Sequence, residues 1–111
     1  MESKAKRLKA GQPVRGSRSG RPIMVLLDLL GRRNALRLIW ELREGTPLTF
    51  RALQEAADTN PALLNTRLHE LREAGIVSHD GEGYVLSESG ERLLKTLKPL
   101  AQWAVEWGGE H

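Results

Sequence analysis

The chain has 111 residues, no cysteine, 28% charged residues and a formal charge of +3. That length allows one domain around one core, and the absence of thiols excludes disulfide staples, thiolate metal sites and thiol redox switches. No apolar run reaches transmembrane length, and no apolar stretch follows the basic N-terminus as in a secretory signal, so a cytoplasmic protein is expected.

Charge is unevenly placed. Residues 1–21 carry seven Lys/Arg against Glu2, a net +6, whereas residues 22–111 carry −3. The first 21 residues are rich in Gly, Ser, Lys and Arg and poor in apolar side chains, so a disordered basic tail is expected there. It is either an arm that adds phosphate contacts or a solubilising leader. Residues 22–111 are the expected domain.

Arg21–Leu30 is apolar on every side except Asp28. A short helix of that kind needs cover on more than one side, from its own core and from a second element or subunit. Gly31 is placed to end it. Arg33–Glu44 is the second expected helix, with Ala35, Leu38, Ile39 and Leu42 as its inward stripe and Leu36 and Trp40 widening it. Gly45 stops it, and Leu48-Thr49 is a candidate edge strand. Phe50–Ala57 reads as a short helix with Phe50, Leu53 and Ala57 inward.

Asn60–Ala74 has the clearest helix start in the chain. Asn60 suits the N-cap, and Pro61 suits the first helical position, where a missing N–H costs nothing. Leu64, Leu68 and Leu71 form one buried stripe, and Ala62, Asn65, Thr66, Arg67, His69 and Arg72 lie on the other side. Two helices joined by the tight polar turn Asp58-Thr59-Asn60 give a helix-turn-helix layout.

After Ala74-Gly75 the pattern alternates. Ile76–His79 and Tyr84–Leu86 are expected strands joined by Asp80-Gly81-Glu82-Gly83, a hairpin that would make a wing. Ser87 caps a last helix over Glu88–Trp107. Leu93, Leu97, Ala101 and Ala104 form one stripe on it, and Leu100, Trp103 and Trp107 form a second. Two stripes exceed one intramolecular contact, so Trp103 and Trp107 either anchor a subunit interface or fold back over the protein's own core.

The fold expected is therefore mainly α with a small β-hairpin, a winged helix-turn-helix. Over residues 22–107 the chain resembles the HxlR-type winged helix-turn-helix transcriptional regulators, a bacterial family related in architecture to the MarR regulators. LLDLLGRR at Leu26–Arg33, LRLIWELREG at Leu36–Gly45, FRALQEA at Phe50–Ala56, NPALLNTRLHELREAGIV at Asn60–Val77 and YVLSESGERLLKTLKPLAQW at Tyr84–Trp103 carry the resemblance. It implies a homodimer built from the first and last helices, each subunit placing a recognition helix in successive major grooves of a pseudo-palindromic operator. Ile23, Leu26, Leu27, Leu100, Trp103 and Trp107 would form that interface.

The chain departs from the family pattern in places. Members that sense oxidants use a cysteine near the first helix; here Gly20-Arg21-Pro22 stands there. The usual Gly-Gly-Lys-Trp is Gly31-Arg32-Arg33-Asn34, and Pro-Lys-Thr at the recognition helix is Pro61-Ala62-Leu63. The wing loop carries Asp80 and Glu82 where phosphate contact favours Lys or Arg.

Double-stranded DNA is the expected partner. Arg67 is the leading candidate for a base contact, since bidentate pairing with guanine is the commonest specific contact; its alternative is an ion pair with Glu70 at i+3. Asn65, Thr66 and His69 lie on the same surface. Ala62 and Leu63 offer apolar contact, with core packing as the alternative for Leu63. Arg51, Arg32 and Arg33 are candidates for phosphate. A small-molecule effector has room between the last helix and the core, with no residue announcing one. No metal site, cofactor or catalytic constellation is expected: His69, His79 and His111 have no ligand spacing, and no glycine-rich phosphate loop follows a strand. The competing reading is a winged-helix protein–protein interaction module, favoured by the acidic wing, Ala62 and Leu63.

Overall fold

The computed structural model describes residues 21–109. Residues 1–20 and 110–111 lie outside that range, and with them the expectation of a disordered basic tail. The described chain runs α1 (Pro22–Leu30), α2 (Ala35–Glu41), α3 (Phe50–Ala57), α4 (Pro61–Glu73), β1 (Val77–Asp80), β2 (Gly83–Leu86) and α5 (Glu88–Gly108). This is the expected winged helix-turn-helix order.

The core is aliphatic. Leu38, Ile39, Leu42, Leu53, Leu64 and Leu71 are its largest fully buried side chains, each worth roughly 1.5–3 kcal/mol of removed apolar surface. They come from α2, α3, α4 and the turn after α2, so one cluster fixes three helices. Leu29 and Leu30 join it from α1, Ile76, Val77 and Leu86 from the hairpin region and Leu94 from α5.

α4 has capped ends. Asn60 Oδ1 accepts from the Leu63 N–H at 2.8 Å, and Pro61 opens the helix. At the far end Gly75 takes a positive φ of 77°. The Ile76 N–H then reaches the Leu71 carbonyl and the Gly75 N–H the Arg72 carbonyl, both at 2.9 Å. That pair of bonds is a Schellman closure, and the buried Leu71 and Ile76 provide its apolar contact.

α2 is shorter than the expected Arg33–Glu44. Asn34 adopts a left-handed φ of 72°, so Arg33 and Asn34 form a turn rather than a first helical turn. Asn tolerates that conformation at low cost, and its side chain finds a partner there, described below.

β1 and β2 pair antiparallel with Val77 opposite Leu86 and Asp80 opposite Gly83. Leu48 adds an isolated bridge to Tyr84, with reciprocal backbone bonds of 3.1 and 2.8 Å. A side chain at Gly83 would stand 2.5 Å from the Leu48 carbonyl oxygen, so the bridge requires glycine there.

α5 is wedged at its start. Ser87 Oγ accepts from the Gly90 N–H at 2.9 Å and lies 2.6 Å from the Gly75 carbonyl. Gly90 packs directly on the Ile76 carbonyl, with no room for a Cβ. The buried stripe differs from the expected one: Leu94 is the buried leucine, Leu93 and Leu97 pack beside it partly covered, and Ala101 and Ala104 are exposed. Pro99 sits inside the helix and withdraws one backbone N–H from it.

Candidate nucleic-acid interface

α3 and α4 are joined by Asp58, Thr59 and Asn60, with Asp58 in the left-handed region at φ 53°. The carbonyls at the end of α3 would be left without helical partners, and each has one. The Asp58 N–H serves Glu55 at 3.2 Å, and the Thr59 N–H serves Gln54 at 3.3 Å. Arg37 Nη2 donates to Ala56 at 2.7 Å, and Asn34 Nδ2 donates to Ala57 at 3.4 Å. The turn between the two helices is therefore held from α2, and the helix-turn-helix angle is a tertiary property.

The exposed stripe of α4 runs through Ala62, Asn65, Thr66, His69 and Arg72. These are short or polar side chains on a helix whose opposite side is locked by Leu64, Leu68 and Leu71. Such a surface offers donors and acceptors of a size suited to a major groove. Leu63 is half-buried at its edge. Arg51 is exposed at the start of α3 and faces Glu55 at 3.8 Å. Arg33 is exposed in the turn before α2. Glu82 and Gly83 N–H groups donate to Asp80 Oδ1 at 2.8 and 3.1 Å, so the wing carboxylate closes its own turn. His79 rests edge-on against Tyr84.

Arg67 takes the alternative named for it, the ion pair with Glu70. Its side chain is 15% exposed and its Nη1 lies 3.2 Å from Glu70 Oε1. Its Nε donates to the Arg33 carbonyl at 2.7 Å. Arg32, a candidate for phosphate, instead places Nη1 3.1 Å from the second Glu70 oxygen. The i+3 spacing from Arg67 to Glu70 was visible in the sequence, but the reach of both arginines across 34 and 38 residues was not.

The apolar surfaces fall on two helices. Ile23 and Leu27 on α1 are 55% and 52% exposed, and Leu100, Trp103 and Trp107 on α5 are 56%, 56% and 66% exposed. Trp103 and Trp107 stack with ring centroids 5.7 Å apart instead of folding over the core. Leu26 differs from the other interface candidates: it is half-buried and packs on the protein's own core. Between α2 and α5 lies an open groove of about 450 Å³ lined by Leu36, Trp40, Leu97, Leu100, Ala101 and Ala104, with Arg37.

Among the described residues no three His, Asp or Glu side chains gather as a metal site, and no helix is long and apolar enough to cross a membrane.

The fold and this surface define a winged helix-turn-helix. Residues 29–111 match the HxlR-like helix-turn-helix family, and the chain belongs to it. A curated relative, the uncharacterized HTH-type transcriptional regulator MJ0925 of Methanocaldococcus jannaschii, is 24% identical over 89 residues, covering 76% of this chain and 83% of that protein. Quinone-bound YodB from B. subtilis superposes with a TM-score of 0.68 at 28% identity, over 76% of this chain and 96% of that one. Its reduced form gives 0.67 at 26% identity, over 81% and 96%. Reduced HlyU from Vibrio cholerae N16961, at 0.59 and 23% identity over 70% and 86%, shares the fold. Family and relatives support a DNA-binding transcriptional regulator, which is consistent with a non-enzymatic chain.

Proposed function

We propose that the protein is a sequence-specific transcriptional regulator that binds a pseudo-palindromic operator as a homodimer. The observation that carries this reading is the exposed stripe of α4, presented by a helix-turn-helix whose turn is fixed from α2. Asn65, Thr66 and His69 face base edges, Ala62 lies against a thymine methyl, and Leu63 flanks it. Arg72 extends the stripe, while Arg51 and Arg33 neutralise phosphates. α1 and α5 form the dimer, burying Ile23, Leu27, Leu100, Trp103 and Trp107; paired aromatic anchors of this kind dominate interface energetics. Such a dimer places two copies of α4 on one face, about one helical turn of DNA apart. The protein works in the cytoplasm.

Selection of duplexes from a random pool, at low and high salt, tests this. The expected outcome is an enriched two-fold motif whose affinity falls steeply with salt through counterion release, bound by a species of dimer mass in sedimentation. Absence of an enriched motif overturns the reading. One feature favours a second reading, a protein-interaction module: the wing presents Asp80 and Glu82 rather than cations. No duplex binding at either salt would support it.

A further inference from the structure

We propose that Glu70 is a positioning residue of the DNA-reading surface, and that Arg67 acts through it rather than on a base. This rests on the DNA-binding reading above. Glu70 uses both oxygens, one on Arg67 and one on Arg32, and its side chain is 21% exposed. The same Arg67 holds the Arg33 carbonyl with its Nε. The next residue, Asn34, donates its amide to the last carbonyl of α3. Three consecutive residues, Arg32, Arg33 and Asn34, thereby clasp both helices of the helix-turn-helix. Arg32 and Arg33 hold α4, and Asn34 holds the end of α3.

An arginine that reads guanine needs its fork free to make two parallel bonds. Arg67 already gives Nε to the Arg33 carbonyl and Nη1 to Glu70, so turning its fork to a base competes with those bonds. Each acceptor that loses its donor costs free energy, reduced here by partial exposure. The exposed stripe, by contrast, can meet DNA with nothing to give up beyond the loose, exposed approach of His69 to Glu73 at 3.9 Å. The brace sets the angle at which that stripe is offered, and a small misplacement of a contact set lowers affinity for every sequence alike.

Two accounts of Glu70 predict opposite signs. As a bare charge on the recognition helix it repels phosphate, so its removal strengthens binding. As the centre of the brace, its removal weakens binding. The test uses the full chain, a duplex selected by the wild-type protein and a panel of single-base-pair variants of that duplex. Glu70→Ala and Arg67→Ala are each expected to weaken binding about tenfold, the usual scale for losing a charged hydrogen-bond partner. The loss should be uniform across the panel, the double variant should be no weaker than either single one, and Glu70→Gln should recover part of the affinity. Melting curves establish that each variant is folded at the assay temperature. Should Glu70→Ala fail to fold, Glu70→Gln carries the comparison, with intermediate binding expected.

Relaxed preference at one base pair in Arg67→Ala makes that arginine a base reader and overturns the proposal. Unchanged or tighter binding by Glu70→Ala or Glu70→Gln overturns it as well. A wild-type chain that selects no site removes the DNA-binding reading itself, and that is seen before any variant is made.

Discussion

The two ends of α5 are made of similar residues and lead opposite lives. At its start, Ser87, Gly90 and Leu94 are wedged against Gly75, Ile76 and the core. Beyond Lys98 the helix carries Leu100, Trp103, Val105 and Trp107 with more than half their surface bare. Leucines and tryptophans at helical spacing thus record that something will cover them, and only the rest of the chain decides whether that cover is internal. The first end is a statement about folding. The second, on the reading above, is a statement about assembly.

That contrast can be broken in order of size. Leu94→Ala should cost about 2–5 kcal/mol in denaturant unfolding, because a fully enclosed leucine leaves a cavity. The matching change at the other end, Leu100→Ala, should cost less than about 0.5 kcal/mol when the protein is diluted to monomer. If the two costs are equal, the two ends are not different in kind. Trp103→Ala should raise the dimer dissociation constant at least about thirtyfold in sedimentation equilibrium, an anchor loss of about 2 kcal/mol or more. Its monomeric stability should stay near that of the parent. Ser87→Ala removes the cap of α5 and should lower unfolding free energy by about 1 kcal/mol, without shifting the dimer equilibrium. Arg51→Ala is the smallest case: stability should move by about 0.5 kcal/mol or less, while the slope of log affinity against log salt drops by about one phosphate contact.

Much of this architecture was legible from local chemistry. α3 runs over the expected Phe50–Ala57, although Thr49, expected in an edge strand, caps it by accepting from the Ala52 N–H, and α4 starts at the expected cap because Asn60 and Pro61 act within a turn of themselves. The start of α2 was not legible. Asn34 reads as an ordinary helical position until its amide meets Ala57, 23 residues away. On α5 the expected Leu93 and Leu97 do pack on the core, but periodicity does not single out Leu94, the residue buried there, four positions after the glycine contact at Gly90. For the candidate site, the polar stripe of α4 followed from periodicity, since its complement is three leucines. The Arg67–Glu70 pair is likewise written in the i+3 spacing, whereas the bond from Arg67 to the Arg33 carbonyl is not, because no side-chain pattern encodes a backbone acceptor. The resemblance places Leu26 with Ile23 and Leu27 at an interface, yet Leu26 packs, half-buried, on the protein's own core. A helix apolar all round hides which of its sides faces inward.

The pairing of Leu48 with Tyr84 ties the wing close to its turn, one residue past Gly83, to the residue just before Thr49, which caps α3. The hairpin is thus pinned near its tip rather than hinged there as a free flap. Amide exchange should display this as a gradient. The Leu48 and Tyr84 amides, locked in reciprocal bonds, should outlast the Gly81 amide at the tip by orders of magnitude. Any tilt of α3 would be passed through Leu48 to Tyr84 and so directly to the turn at Gly81 and Glu82.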